Sequence, residues 1–264
     1  MGFMSEPHIK GHAPAAHDRL IAGRGTPDAD WQAWPGLGYL PSISAAELVP
    51  PRRRAIIVAP HPDDEVLACG GLLQLLHAQG THTILLAVTD GDASHPGSTL
   101  LTPAELSRLR PQETVAAMQA LGVAPHILRA RIGDGQISVA MDELHKLLLQ
   151  LLQPGDVVFT TWRKDGHPDH EACGLAASLA TRSCHARLVE MPVWSWHWAL
   201  PGDRRLPWRH ARRLELDADV LQRKQQAVAC FQTQLHDDPS SGQPAVLPRH
   251  VLERLLHPYE IYFI

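Results

Sequence analysis

Two short stretches concentrate side chains able to hold a metal ion and to move protons: Pro60-His61-Pro62-Asp63-Asp64-Glu65 and, further along, Asp165-Gly166-His167-Pro168-Asp169-His170-Glu171. Imidazole nitrogen and carboxylate oxygen suit a divalent ion of the Zn²⁺ type. Three protein ligands plus one open position is the catalytic pattern, as opposed to the closed structural one. A single His-Pro-Asp turn needs no such reading, because aspartate is favoured near helix N-termini for its own sake. Two such turns, each loaded with His and Asp and each directly after an apolar run, point to one shared site.

For the two stretches to meet, both must follow strands of the same sheet. Residues 55–59 (AIIVA) form a continuous apolar run, the mark of a buried parallel strand. The pattern then predicts a helix over 67–79 closed by Gly80, a strand over 83–89, a helix over 102–121 ended by Gly122, and a strand over 126–132 running into Gly133-Asp134-Gly135. A helix over 141–152, a strand over 156–161, a helix over 171–180, a strand over 187–191, a helix over 221–234 and a short last strand over 258–264 complete the series. Strands alternating with helices predict an α/β, Rossmann-like, mainly parallel sheet with helices on both faces, in a single domain. Ligands in such folds sit at the carboxyl ends of the strands. Residues 1–50, rich in Pro, Gly, Ala and His, read as an irregular N-terminal extension to a domain over 51–264.

The composition narrows the function classes. A formal charge of −4 argues against a nucleic-acid grip built on bulk positive charge. Four cysteines, at 69, 173, 184 and 230, form no CxxC pair and fit free thiols in a reducing compartment. No apolar run reaches signal-peptide or membrane-spanning length, so the expectation is a cytoplasmic protein with no membrane partner. Cys69 has no base at nucleophile spacing. Gly70-Gly71 falls inside a predicted helix with no GxGxxG after the first strand, which disfavours a dinucleotide. Trp194, Trp196, His197 and Trp198 could form a sugar-stacking rim or pack a lid, and packing is preferred. His77, His82, His126, His145 and His185 lack paired ligand spacing and read as surface residues.

AIIVAPHPDDEVLACGG followed by GHPDHEACG resembles the PIG-L/LmbE-like family of zinc-dependent N-deacetylases. Weaker landmarks are Thr89-Asp90-Gly91-Asp92, Arg110 to Glu113, Leu121-Gly122-Val123 and Ile132-Gly133-Asp134-Gly135, so the resemblance covers roughly residues 55–180. Lys224 to Gln234 is weakly similar to the family's late helix. The resemblance implies hydrolysis of an N-acyl group, acetyl in the simplest case, from an amino sugar or sugar-containing small molecule by attack of zinc-bound water. It implies His61, Asp64 and His170 as metal ligands and Asp63 as general base. His167 then stabilises the oxyanion or delivers a proton to the leaving amine, with Asp169 holding its orientation.

Arg110 matches the family's substrate-facing arginine; the alternative is an ordinary helix-face pair with Glu113. Asp92 is either a loop cap or a hydroxyl acceptor in the substrate pocket. Asp165 stands where some relatives carry a mobile tyrosine, which argues against a tyrosine-assisted oxyanion step. The implied cofactor is Zn²⁺, with Fe²⁺ compatible with the same donors. The implied partner is a small N-acylated substrate, and homo-oligomer formation is left open. Two rival readings are a metal-dependent amidase acting on a thiol conjugate or other non-sugar amide, and a non-catalytic binding protein of the same fold. Every ligand position being filled speaks against the second.

Overall fold

The computed structural model describes residues 19–264; the first part of the predicted N-terminal extension lies outside the described residues. Five apolar runs become strands β1 (Ala55–Ala59), β2 (Thr83–Thr89), β3 (His126–Ile132), β4 (Val157–Thr161) and β5 (Arg187–Met191), all parallel. Two further strands, β6 (Ala211–Glu215) and β7 (Tyr259–Phe263), complete a seven-stranded sheet in the order β3-β2-β1-β4-β5-β7-β6, with β7 antiparallel to β5 and β6 antiparallel to β7. The architecture is therefore the α/β, mainly parallel sheet that the strand-helix rhythm predicts.

Strand alternation divides the core in two. On one face Ile57, Leu85 and Phe159 join Leu72 and Leu76 of helix α3 (Asp64–Ala78) and Met118 of helix α4 (Pro103–Leu121). On the other, Ile56, Val58, Leu86 and Val158 pack against Leu144 and Leu148 of helix α5 (Met141–Leu151) and Ala176 and Ala177 of helix α6 (Pro168–Ser183). Every residue of β1 and β4 is buried, because both central strands are covered on both sides.

The strand order reverses between β1 and β4. From β1 the chain winds outward to β2 and β3, then returns to place β4 on the other side of β1, with Ala55 opposite Val157 and Val58 opposite Thr160. The loops leaving β1 and β4 therefore open side by side at the switch point, where doubly wound sheets bind ligands. Those loops are the two His-Asp stretches.

Both following helices begin earlier than periodicity predicts. Helix α3 starts at Asp64, and α6 starts at Pro168 with His167 as its N-cap, so the motifs lie in the first helical turns. Proline at the first position of α6 is preorganised for a helix start. Gly174 seats α6: a Cβ there would lie 2.7 Å from the Thr161 carbonyl oxygen and 2.7 Å from the Arg163 amide nitrogen, both immovable backbone. Gly174→Ala is expected to destabilise the fold by about 1–3 kcal/mol through overpacking, read as a fall of several degrees in Tm. An unchanged Tm would show that α6 does not need this close approach.

Helix α4 ends at Gly122 in the left-handed conformation, φ 71°, as its glycine predicts. The C-terminal half differs from the sequence reading in strand β6, which no sequence pattern predicts, and in its helices. The helix expected over 221–234 is divided into α8 (Ala218–Val228) and α9 (Gln232–Leu235), and the Trp-rich segment contains a one-turn helix, α7 (Ser195–Trp198). Helices α1 (Asp28–Ala33) and α2 (Ala45–Leu48) precede β1. Helix α1 docks through Trp31, whose indole packs at 4.9 Å from that of Trp196 and donates to the Trp196 carbonyl at 3.0 Å. Helix α10 (Arg249–Leu252) precedes β7, and its neighbour Arg254 donates to the carbonyls of Arg24 and Thr26. Among the described residues the cysteines are free, and no helix is long and apolar enough to cross a membrane.

Candidate metal centre and active site

Asp64 lies within reach of both His61 and His170. The donor sets that lie wholly within 4.8 Å of one another are His61 with His167 and His170, and His61 with Asp134 and Asp169. Asp64 Oδ2 lies 3.4 Å from His61 Nδ1 and 3.3 Å from His170 Nε2. Ligands around 2.0–2.1 Å from a tetrahedral zinc stand about 3.3–3.4 Å apart, so these separations match two edges of such a site. His170 Nε2 is fully buried yet has no hydrogen-bond partner. A nitrogen left unpaired in this way is costly unless it serves a ligand. The ring nitrogens of His61, His167 and His170 also lie within 4.8 Å of one another.

The local field favours positive charge. Burial opposes the His170 cation, but Asp64 and Asp165 outweigh it and push its pKa up to about 9. Burial likewise opposes Asp64 ionisation, yet the two imidazoles hold it far below the usual carboxylate range. Metal ligation needs neutral imidazoles, so a divalent ion would replace these protons. The residues present fit such an ion.

Asp63 stands at the entrance to α3 with φ 135° and ψ −32°, a strained backbone for a residue with a side chain, costing about 1–3 kcal/mol. Its carboxylate lines a cavity of about 250 Å³ together with His61, Asp64, Asp134, His167 and His170. Burial pushes its pKa up to about 8 against the pull of Arg110. His167 faces the same cavity. Burial, reinforced by His170 and His61, lowers its pKa to about 4, so the ring is neutral near pH 7. Its Nδ1 accepts the Asp169 backbone N–H at 3.2 Å, which leaves the proton on Nε2 as a donor.

The predicted role of Asp169 is corrected by this geometry. Its backbone N–H, not its carboxylate, orients His167. The carboxylate turns instead to His61 Nε2 at 3.2 Å and accepts from the Gly135 and Ile137 amides at 2.7 and 3.2 Å. Asp169 lies in the first turn of α6, where its amide is free to cap the His167 ring while its side chain crosses to the loop after β3.

Arg110 is not paired with Glu113, which instead binds Thr233 through its amide and hydroxyl. The guanidinium is buried. It donates to Asp63 Oδ2 at 3.0 Å, to the Pro62 carbonyl at 2.7 Å and to the Gly91 carbonyl at 2.9 Å. Arg110 is also among the residues that border the cavity. Asp92 accepts the Asp134 amide at 3.2 Å, which is the loop-cap reading; Asp134, held by that bond, is the acid that reaches the cavity, with Oδ1 3.1 Å from His61 Nε2.

Two contributors escape a reading of spacing alone. In the sequence Asp134 is visible only as part of a Gly-Asp-Gly turn. Asp165 is completely buried. It accepts from His170 Nδ1 at 2.9 Å and from the amides of Val193, Trp194 and Ser195 at 2.8–3.0 Å. It thereby fixes the His170 tautomer with Nε2 free and ties the Trp-rich segment to the site. Trp194 and Val193 form an apolar wall of the cavity with Leu67, Val246 and Leu247, while Ser94 and Gln234 face it as polar groups. The other tryptophans pack, as preferred. Asp165→Asn is expected to weaken metal affinity about 10–100-fold, measured by competition with a chromogenic chelator; wild-type affinity would show that His170 needs no such partner. A larger groove of about 490 Å³ between α4 and the β2–β3 edge is bordered by no imidazole.

Residues 56–181 match the family model described as PIG-L: GlcNAc-PI de-N-acetylase. The 1D-myo-inositol 2-acetamido-2-deoxy-alpha-D-glucopyranoside deacetylase of Streptomyces griseus is 28% identical over 179 residues, 55% of this chain and 56% of that protein. The "Probable N-acetyl-alpha-D-glucosaminyl L-malate deacetylase 2" of Bacillus cereus is 29% identical over 137 residues, 48% of this chain and 60% of that protein. The chain thus spans little more than half the length of these curated relatives. The N,N'-diacetylchitobiose deacetylase from Pyrococcus horikoshii shares the fold, with a TM-score of 0.51 at 21% identity over 70% of this chain and 72% of that one.

Proposed function

From the premise that residues 56–181 form a PIG-L domain, we propose that this protein is a metal-dependent N-deacetylase acting on an amino sugar joined to a small polar group. The convergence of Asp64 Oδ2 with His61 Nδ1 and His170 Nε2 carries the reading. The substrate class is drawn from the two curated relatives, both named for N-acetylated glucosamine derivatives. Free thiols fit a cytoplasmic setting.

His61, Asp64 and His170 would hold the ion, taken as Zn²⁺. When bound, it supplies Lewis acidity, polarising the amide carbonyl and making water easier to deprotonate. Asp63, on the cavity wall, would take the proton of the attacking water and return it to the leaving amine. Arg110 holds the Oδ2 of Asp63, a residue that borders the cavity. His167, neutral with its proton on Nε2, donates to the oxygen that gains charge as the amide carbon becomes tetrahedral. The apolar wall of Leu67, Trp194 and Leu247 limits water around that oxygen.

The test is free-amine release from a panel of N-acetylglucosaminides by zinc-loaded protein, with activity lost on chelation and restored by Zn²⁺. Hydrolysis of mercapturate-type amides with none of the sugar panel turned over would replace the sugar reading with the amidase one.

A further inference from the structure

Glu65 is the one acid of the first motif that the mechanism leaves unused. It is 1% exposed and does not border the cavity. Among the described residues no cation pairs with it: the guanidinium nearest the motif, Arg110, is spent on Asp63, Pro62 and Gly91. Its Oε2 accepts the backbone N–H of Asp63 at 3.1 Å. Its Oε1 makes no hydrogen bond of normal geometry, with the Thr114 hydroxyl and its own backbone amide near the carboxylate. A buried carboxyl with one good bond is expensive to keep, so that bond is the place to look for its purpose.

The bond falls on a residue whose backbone is strained. Asp63 has φ 135°, a conformation that side chains rarely adopt. The Asp63 carbonyl is fixed by the first turn of α3, accepting from the amides of Val66 and Leu67 at 2.9 Å each. Its side chain is fixed by Arg110. The amide is the remaining free handle, and Glu65 holds it.

We propose that Glu65 is a positioning residue for the reaction, which holds Asp63 in its strained backbone conformation by accepting the Asp63 N–H and so aims the Asp63 carboxylate into the cavity. The inference rests on the deacetylase reading for its kinetic consequences, but the backbone restraint stands independently of it. Releasing the amide lets the turn relax toward ordinary φ and swings the carboxylate, whereas the metal donors of His61, Asp64 and His170 keep their own anchors.

The test compares Glu65→Ala with Glu65→Gln, whose amide oxygen can accept the same N–H. In the zinc-loaded protein Glu65→Ala is expected to lower kcat about 10–100-fold with KM within about twofold and metal content unchanged, and Glu65→Gln to recover most of kcat. Hydrogen–deuterium exchange of the peptide spanning 60–67 gives a readout free of turnover: faster exchange in Glu65→Ala, near wild-type exchange in Glu65→Gln. Unchanged kcat and exchange in a metal-replete Glu65→Ala protein would overturn the inference, as would a folded Glu65→Gln variant as impaired as Glu65→Ala. If Glu65→Ala does not fold, Glu65→Gln decides by the same kcat and exchange measurements. Absence of any amine release by the wild type would instead count against the deacetylase reading and leave the exchange comparison to decide this one.

Discussion

Asp63→Asn is expected to bind a full equivalent of divalent metal and to lose about 10²-fold or more in amine release. The donor atoms proposed to hold the ion belong to His61, Asp64 and His170, and the substitution removes none of them. Asparagine is also among the residues best tolerated at positive φ, so the turn should survive the change. What disappears is the proton acceptor. Burial pushes the Asp63 pKa up to about 8 against the pull of Arg110, and the proposed role of this carboxyl is to take a proton during the reaction. The measurement pairs elemental analysis of metal content with steady-state turnover. Near-normal turnover at full metal content would remove Asp63 from the chemistry and leave His167 as the candidate. Loss of the metal along with activity would mean that Asp63 helps hold the ion.

The sequence made the chemistry legible wherever a residue's role depends on what immediately precedes it in the chain. Ala55–Ala59 is an unbroken apolar run and Val157–Thr161 opens with three apolar residues, both marks of buried strands, so the His-Asp stretches after them had to lie at strand ends. Roles set by distant partners were not legible. Asp169 and Asp134 both reach His61 because the loops after β3 and β4 fold toward one another, a long-range fact with no local pattern. The function of Asp165 depends on amides of residues 193–195 that only the packing of α7 brings near. Strand β6, ARRLE, alternates weakly and is charged because it is an edge strand, and its pairing with β7 is settled by the C-terminus returning beside it. The docking of α1 likewise depends on Trp31 meeting Trp196, a pairing of tryptophans far apart in sequence.

The largest expected loss of stability lies behind the site, in a buried ion pair whose partners come from α8 and β7. Lys224 Nζ meets Glu260 Oε1 at 2.7 Å, and both side chains are about 1% exposed. The carboxylate also accepts the Gly71 and Leu72 amides at 2.7 and 2.9 Å and the Tyr262 hydroxyl at 2.7 Å. Those amides are available because α3 is broken at Cys69, where φ −145° interrupts the helical ladder. Glu260 therefore caps the second segment of α3, and Gly71 permits the approach, since a Cβ there would lie 3.1 Å from Glu260 Oε1 and closer still to Leu216.

Glu260→Ala strands a buried ammonium and two amides, and is expected to cost about 3–5 kcal/mol, readable as a large fall in Tm or in urea midpoint. Lys224→Met should cost a comparable amount by leaving the carboxylate alone. The double variant Lys224→Met with Glu260→Gln should be more stable than Glu260→Ala, because removing both charges avoids the uncompensated one and the glutamine oxygen can still accept an amide of α3. A Glu260→Ala protein melting within a degree or two of wild type would mean that the break in α3 is held by packing alone. A double variant no better than Glu260→Ala would mean that neither the stranded ammonium nor the lost amide acceptor accounts for the cost of Glu260→Ala.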